Sequence, residues 1–372
     1  MSEPSLLRPN APAGGEDSAP GGPELKEFVG RVQERVRQYL LPRSDNQEQT
    51  DHLRHVADRT RWIYYGELQR QSPGASVRFS HHDDDLIEAC VLSHDIGKWI
   101  PREELHALIP ADVAEMQPTF AELKFTNPQS DLLLLGIRRR FALAQDGYVP
   151  EYDSAHHLVS AYLLAADDQL GFHHLLPADQ KRLIDMIVGH QFGSYFKESL
   201  LHLKVQEASE VTTGMIMDVS RPDRVMGDVL ASAFHDADIS DLLFVGSLEP
   251  RPNREDIFHT GGLVKILMVN FTNRIYGVPT APKDLAGCLR SCQGTVNNVR
   301  KELITRTAIE HGSNWRREAR RFLSALREKS VSDKLNAILL ADDKPAAERL
   351  TLVRSVTRLQ AREFLNRSED DK

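Results

Sequence analysis

Apolar residues recur at three- and four-residue intervals along most of this chain, the spacing that places side chains on one face of an α-helix. The first such run starts at Glu24 and ends at Pro42, and its apolar positions are Leu25, Phe28, Val29, Val32, Val36 and Leu40. Alternation of apolar and polar residues, which marks a half-buried strand, is almost absent. The pattern therefore predicts an all-α fold.

Proline, glycine and polar clusters bound the further helices that the pattern predicts. In the first part of the chain their ranges are 52–68, 86–98, 132–144, 155–168, 177–190 and 224–243. The run Asp83-Asp84-Asp85 suits the start of the third helix, because carboxylates favour a helix N-terminus. His81 and His82 precede it, but a solvated helix start explains this cluster without a metal.

The two ends of the chain differ in composition from its centre. Residues 1–23 contain five prolines and four glycines with few large apolar side chains, which predicts a disordered tail. Residues 24–250 form the predicted catalytic domain. After a junction at residues 251–254 and an apolar stretch at 263–271, charged amphipathic helices are predicted over 285–309, 315–326 and 334–364. Residues 251–372 are thus a helical C-terminal extension.

We expect this extension to pack on the catalytic domain, because the junction is too short for a long flexible linker. One face of the helix over 315–326 should be buried, and its residues are Trp315, Phe322, Leu323 and Leu326. The residues predicted to lie outward are Arg316, Arg317, Arg320 and Arg327. The extension could also form a contact with a second copy of the chain or with another protein.

Composition narrows the range of functions that this chain could have. The chain has 372 residues, of which 41% are hydrophobic and 27% charged, as in ordinary globular proteins. A net charge of −8 does not indicate a nucleic-acid binder. Its cysteines, Cys90, Cys288 and Cys292, do not suggest a disulfide framework or a complete zinc site. Without a membrane-length apolar run or a signal pattern, we expect a cytoplasmic protein with no membrane partner.

The most informative feature of the chain is the pair His94-Asp95, which directly follows the apolar run Ala89-Cys90-Val91-Leu92-Ser93. An unpaired carboxylate in such a position costs several kcal/mol, and a metal ion removes that penalty. Further histidines and an aspartate lie in helical segments at His52, His156, His190 and Asp238. Together they predict a metal site.

The order of these residues resembles that of the HD-domain superfamily of metal-dependent phosphohydrolases. Ser93-His94-Asp95-Ile96-Gly97-Lys98 is close to the central motif of that family, and His52 with Val56 resembles the motif that opens it. The segments that begin at His156 and at Ile187 resemble the two additional histidine segments of the two-metal branch. The resemblance covers roughly residues 50–245, and it implies an HD-type helical bundle.

The resemblance also implies a ligand set. His52, His94, Asp95 and Asp238 would hold one metal, and Asp95, His156 and His190 the second, with Asp95 as the bridge. A set of imidazole and carboxylate ligands favours manganese, iron, cobalt, nickel or zinc over calcium and does not choose among them. The resemblance implies two divalent transition-metal ions, with manganese or iron expected and cobalt, nickel, zinc or magnesium as alternatives. Such ions would lower the pKa of a bridging water and hold the phosphoryl oxygens, so the hydroxide would be the nucleophile.

Asp95 and Lys98 are the residues with predicted catalytic roles. Lys98 lies one helical turn beyond His94 and could reach a substrate phosphate or orient the water. A solvent-facing lysine at the C-terminal end of a helix is an equally good interpretation.

Several ligand positions have an alternative within a few residues. His157 could replace His156, His55 could replace His52, and Asp236 or Asp241 could replace Asp238. We prefer His156 because the small residues Ser160 and Ala161 would allow its helix to approach closely. The other histidines are expected at the surface or behind the ligands, namely His81, His82, His106, His173, His174 and His235.

The resemblance implies a phosphohydrolase whose substrate is a phosphorylated small molecule, a nucleotide or another phosphodiester or phosphoanhydride. The histidine segments look most like those of bacterial HD hydrolases that split dinucleoside tetraphosphates. Cyclic-dinucleotide phosphodiesterases share the ligand order, but their Gly-Tyr-Pro motif is absent after His190. The non-enzymatic alternative is a regulatory or scaffolding module.

Two arginine clusters could receive a polyphosphate, although a charged helix face is the preferred interpretation of both. The first is Arg138-Arg139-Arg140, and the second consists of Arg316, Arg317, Arg320 and Arg321.

Overall fold

Helices form nearly all the regular structure, so the all-α prediction is confirmed. The computed structural model describes residues 22–43, 45–73, 80–110, 113–125, 130, 131, 133, 134, 137, 156–190, 227–250, 256–278 and 281–370. The predicted tail up to residue 21, most of the helix over 132–144, the cluster Arg138-Arg139-Arg140 and the junction at 251–254 lie outside these residues.

Before the extension, the helices with defined bounds in the described part of the chain are α1 (Gly22–Leu40), α2 (Asn46–Gln71), α3 (His81–Ser93), α4 (Ile96–Trp99), α5 (Arg102–Leu108), α6 (Gln117–Glu122), α7 (His156–Ala166), α8 (Pro177–Gly189) and α9 (Val229–Asp241). A hairpin follows, with strands β1 (Gly246–Glu249) and β2 (Ile257–Thr260). The remaining helices are α10 (Gly262–Ile275), α11 (Leu285–Glu302), α12 (Arg306–Ala325), α13 (Lys329–Leu339) and α14 (Ala346–Asp370).

The predicted single helix over 86–98 is wrong. The helix α3 starts earlier, at His81, where the Ser80 hydroxyl accepts a hydrogen bond of 3.0 Å from the Asp83 backbone N–H. It ends at Ser93, and α4 begins only at Ile96. Asp95 leaves regular helical geometry, with φ −107° and ψ 0°. The pair His94-Asp95 therefore lies at a break between two helices.

The predicted helix over 285–309 is also wrong, because α11 ends at Glu302 and α12 begins at Arg306. Thr305 caps α12 by accepting a hydrogen bond from the Ala308 backbone N–H. The buried carboxylate of Asp236 on α9 accepts hydrogen bonds from the backbone N–H groups of Ile304 and Thr305, at 3.0 and 2.7 Å. A distant side chain thus stabilises the break, which the local pattern could not reveal.

The strands β1 and β2 pair antiparallel, with Gly246 opposite Thr260 and Glu249 opposite Ile257. The sequence pattern missed this hairpin because each strand has only four residues. A network anchors β2 to α2: the buried Asp51 carboxylate accepts hydrogen bonds from the Thr260 backbone N–H at 2.7 Å and from His259 Nδ1 at 2.8 Å.

The helices that carry the predicted ligands pack directly against one another. The pairs α2 with α9, α4 with α7, and α8 with α7 and α9 are all in contact. A continuous apolar core, from Leu25 on α1 to Ala361 on α14, surrounds them. The predicted ligands therefore lie inside the bundle rather than on its surface. Within the described residues, no helix is long and apolar enough to cross a membrane.

The C-terminal helices pack on the rest of the chain. Trp315 on α12 lies against Trp62 of α2 and Phe244, with ring centroids 5.8 and 5.4 Å apart. Arg354 and Arg358 on α14 pair with Glu48 of α2 at 3.4 and 3.5 Å. The predicted inward face of α12 is buried, while Arg317, Arg320 and Arg327 are exposed and Arg316 is half-buried.

A substitution of Asp236 tests whether its carboxylate stabilises the packing of the C-terminal helices. Replacing Asp236 with Ala should lower the free energy of unfolding by about 3 kcal/mol, since the buried N–H groups of Ile304 and Thr305 lose their acceptor. Urea unfolding measured by circular dichroism would give the value. The matched control is Asp333→Ala at an exposed position of α13, where a change of at most about 0.5 kcal/mol is expected. Equal effects of the two changes would contradict the role of Asp236.

Candidate metal centre

The break between α3 and α4 orients His94 and Asp95 toward the interior. The Nδ1 atom of His94 lies 2.7 Å from the backbone carbonyl of Val91 on the preceding turn. This hydrogen bond requires the ring proton on Nδ1, so Nε2 carries the lone pair. Both His94 and Asp95 have no exposed surface.

A close contact between α4 and α7 brings His156 to Asp95. The Gly97 backbone N–H donates to Ser160 Oγ at 2.9 Å, and Ser160 Oγ donates to the His94 carbonyl at 2.7 Å. A Cβ atom on Gly97 would lie 2.5 Å from the His156 carbonyl oxygen, so only glycine fits here. As expected from Ser160, a small residue lies where the two helices meet.

All six predicted ligands come together. The distances from His52 Nε2 and His94 Nε2 to Asp238 Oδ1 are 3.3 and 3.6 Å, and those to Asp95 Oδ2 are 3.7 and 3.6 Å. His156 Nε2 lies 3.3 Å from Asp95 Oδ1 and 3.2 Å from His190 Nε2. Ligand atoms bonded tetrahedrally to one ion at about 2.1 Å are about 3.4 Å apart, so these separations suit metal binding.

Two groups within this cluster have ligand atoms that all lie within 4.8 Å of one another. The first group is His52, His94 and Asp238, and the second is His94, Asp95 and His190. His94 thus belongs to both groups, whereas we predicted Asp95 as the shared residue. The division of the ligands between two ions stays a prediction.

Hydrogen bonds fix the ring orientations of His52, His94 and His190. The Nδ1 atoms of His52, His94 and His190 lie 2.8, 2.7 and 2.6 Å from oxygens of Asp241, Val91 and Ile187. Each Nδ1 therefore carries the proton, and each Nε2 presents its lone pair to the cluster. Histidines that bind metals are held in this way.

The acceptor atoms of the cluster lack sufficient donors. Among the described residues, His94 Nε2 and Asp95 Oδ2 are fully buried without a hydrogen bond. Leaving such atoms unsatisfied costs about 1–3 kcal/mol each. A divalent cation would satisfy both, so the residues fit a metal.

The protonation states of Asp95, His156 and His190 also suit a cation. For His52, burial lowers the pKa, but hydrogen bonds with Asp238 and Asp241 outweigh burial and raise it. Burial raises the pKa of Asp95, but the Lys98 ammonium and the nearby His94 and His156 rings outweigh burial and lower that pKa well below its usual range. Burial lowers the pKa of His156 and takes that of His190 to about 3. The carboxylate is thus ionised and these imidazoles are neutral, the states that bind metals.

The alternatives to the predicted ligands have other partners or positions. His157 is buried, with its ring centroid 6.1 Å from that of His190, and His55 Nε2 lies 3.3 Å from Ser247 Oγ. Asp236 binds the turn between α11 and α12, and Asp241 binds His52 Nδ1. Geometry therefore favours His52, His156 and Asp238.

Lys98 faces the cluster rather than solvent alone. Its Nζ atom lies 2.6 Å from Asp95 Oδ1, and its side chain is 21% exposed. The Asp238 side chain is 16% exposed, whereas that of Asp95 is inaccessible. The cluster is therefore reached from the side of Lys98 and Asp238.

Sequence reasoning named Asp241 only as an alternative ligand and missed its supporting role together with Arg59. Asp241 Oδ1 accepts a hydrogen bond of 2.9 Å from Arg59, whose guanidinium lies 3.4 Å from the centroid of the Phe244 ring. Burial raises the pKa of Asp241, but His52 and Arg59 lower it far below its usual range. The spacing gave a signal: Asp241 follows Asp238 by three residues, which puts both on one face of α9.

Lys265 on α10 was also missed. Its Nζ atom donates to Gln49 Oε1 at 2.8 Å. Burial and the positive charge of Lys98 lower its pKa, while Asp95, Asp241 and Asp238 raise it. A second ammonium thus contributes to the potential at the cluster. It comes from the C-terminal extension, which the family resemblance does not reach.

Comparisons of the chain with protein-family models, with curated proteins and with solved structures find no match. The class of the protein therefore rests on its fold and on the residues of its buried cluster. It is an all-α protein with a buried histidine–aspartate cluster that can hold metal ions.

Replacing Asp241 with Asn should weaken metal binding by about 10- to 100-fold, because the support of His52 loses its charge. Isothermal titration of the metal-free protein with Mn²⁺ would measure the affinity. Asp168→Asn is the matched control, since that side chain is 95% exposed. Unchanged affinity in Asp241→Asn would show that this hydrogen bond does not support a ligand.

Proposed function

We propose that this chain is a dinuclear metal-dependent phosphohydrolase whose substrate is a nucleotide or another phosphodiester or phosphoanhydride. One observation carries the proposal: four imidazoles and two carboxylates converge in one cluster, and the Nδ1 atoms of His52, His94 and His190 are anchored so that Nε2 faces inward. Core packing does not require such an arrangement, since it leaves buried acceptors unsatisfied.

The donor set indicates the class of metal. Nitrogen and carboxylate ligands favour manganese, iron, cobalt, nickel or zinc over calcium. Cys90 is buried near the cluster, but burial and the charge of Asp238 raise its pKa well above the usual range. Its thiol thus stays protonated and supplies no thiolate ligand. Manganese and iron remain our preferred ions.

The ligands would be shared between two ions. His52, His94 and Asp238 would hold one ion, His156 and His190 the other, and Asp95 would contact both. Asp95 suits this role because its two oxygens face different histidines, Oδ2 toward His52 and His94 and Oδ1 toward His156. When bound, the two ions would supply Lewis acidity to the phosphoryl oxygens and lower the pKa of a water.

The lysines would bind the substrate. Lys98 lies at the accessible side of the cluster, where its ammonium could contact a phosphoryl oxygen while remaining near Asp95. Lys265 adds positive charge close to the same carboxylates. Both charges would attract a phosphate and stabilise the negative charge that develops in the transition state. No serine or cysteine nucleophile is needed for this chemistry.

A hydrolysis screen with added Mn²⁺ tests the proposal. The substrates would be dinucleoside polyphosphates, cyclic dinucleotides, nucleotides and an artificial phosphodiester. We expect hydrolysis of at least one class, loss of activity with a chelator, and recovery when metal is restored. A purified protein that holds well under one ion per chain and hydrolyses none of these would support a regulatory or scaffolding module instead.

Replacing Asp95 with Ala should abolish hydrolysis and remove both metals, because it deletes the ligand placed between the two groups of histidines. It should also remove the stabilisation that bound metal gives to the folded protein. Metal content by mass spectrometry and melting temperature with and without Mn²⁺ would measure these effects. Asp168→Ala is the control. Retention of two ions by Asp95→Ala would exclude the bridging role.

Replacing His190 with Ala should reduce the metal content by about one ion per chain and leave the fold intact, since His52, His94 and Asp238 remain. Hydrolysis should fall with the lost ion. His174→Ala changes a histidine outside the cluster and serves as the control. A wild-type protein that binds a single ion at saturating metal, with unchanged activity in His190→Ala, would indicate a mononuclear centre.

A further inference from the structure

A second charged site lies on the C-terminal helices, in a cavity of about 580 Å³ between α12 and α14. Its principal lining residues are Arg316, Arg317, Arg320, Arg321, Phe364 and Arg367. The one acidic residue of the lining is Glu328. No residue of the metal centre belongs to this cleft, so it is a separate site.

Arginines outnumber acidic residues in the lining of this cleft, and Arg321 pairs with Glu318 at 3.3 Å. Arg316 and Arg320, like Arg317 and Arg321, lie four residues apart on α12, so each pair shares a helix face and repels. Among the described residues, Arg317 has no carboxylate within 4 Å, and Arg320 donates to the neutral amide of Asn297 at 2.6 Å. The chain as a whole has a net charge of −8. This cluster of arginines is therefore not part of a generally basic surface that would serve solubility.

Two helices contribute to the cleft, which distinguishes it from an ordinary charged helix face. Arg321 from α12 lies over the Phe364 ring of α14, with its guanidinium carbon 5.9 Å from the ring centroid. The buried Phe322 holds Phe364 in place, with ring centroids 5.5 Å apart. Arg367 approaches from α14 with 72% of its side chain exposed, and it pairs with Glu363 at 3.8 Å. A positioned aromatic ring thus lies beside the Arg321 guanidinium within this cleft.

We propose that this cleft binds a nucleoside polyphosphate. Guanidinium groups form paired hydrogen bonds with phosphate oxygens, and Arg316 to Arg321 span about 7.5 Å along the axis of α12, a length that suits a chain of two or three phosphates. Phe364 provides the apolar surface for the base. The limited volume and the acidic remainder of the chain favour a small ligand over an extended nucleic acid. This site is independent of the proposed hydrolase activity.

The test is isothermal titration of the full-length protein with inorganic tripolyphosphate and with ATP. A chelator and low salt would remove any contribution of metal and preserve the electrostatic attraction. Wild type should bind one equivalent of each ligand, and ATP should bind more tightly. The double variant Arg317→Gln/Arg320→Gln should bind at least about tenfold more weakly.

A matched variant, Arg306→Gln/Arg327→Gln, removes the same charge from two exposed positions outside the cleft. Arg306 is the first residue of α12, and Arg327 lies just past its last residue. This variant should retain the wild-type affinity. An equal loss in both double variants, or no binding to wild type, would overturn the site. ATP binding no tighter than tripolyphosphate would overturn the nucleoside part of the proposal. Because no metal is present, neither result depends on the hydrolase activity.

Discussion

The burial of one carboxylate constrains the centre of this protein. Asp95 has no contact with solvent, and an ionised group in that position must be compensated by other charges or by a cation. Lys98 supplies one compensating charge at 2.6 Å, and the imidazoles of His52, His94 and His156 surround the two carboxylate oxygens. The break between α3 and α4, the glycine contact with α7 and the position of α9 all bring groups to this carboxylate. The bundle is built around a charge that an apolar core alone could not hold.

Much of this arrangement follows from the sequence. Helical spacing predicted the bounds of α1, α7 and α8 to within a few residues, because apolar side chains with that period must face a common core. It indicated most of the other long helices without their true ends. The six clustered residues were also identified correctly as neighbours, since the motif around His94 and Asp95 indicates which distant histidines belong with it. Ser160 had a local signal too, as a small residue at a close helix contact. The roles of the six clustered residues as metal ligands and in catalysis are part of the proposed function.

Other features could not be predicted because their causes are distant in the chain. The break before α12 depends on Asp236, which lies 68 residues before Ile304. Lys265 approaches the cluster only because α10 packs on the bundle, and no local pattern distinguishes it from a surface lysine. The four-residue strands are too short for a periodic signal, and the network of Asp51 and His259 stabilises them instead. Where the local sequence has only a weak preference for helix or strand, tertiary contacts determine which structure forms.

The helix α9 has a consequence for the whole molecule, because three of its carboxylates make separate contacts within two turns. Asp236 binds the start of α12, Asp238 faces the histidine cluster, and Asp241 supports His52. A small rotation of α9 would therefore change all three contacts together. Binding at the cluster and docking of the C-terminal helices are thus expected to be thermodynamically linked, and by reciprocity each should favour the other. The extension would then report on the state of the cluster, and a molecule that engages the extension would in turn alter the affinity for metal.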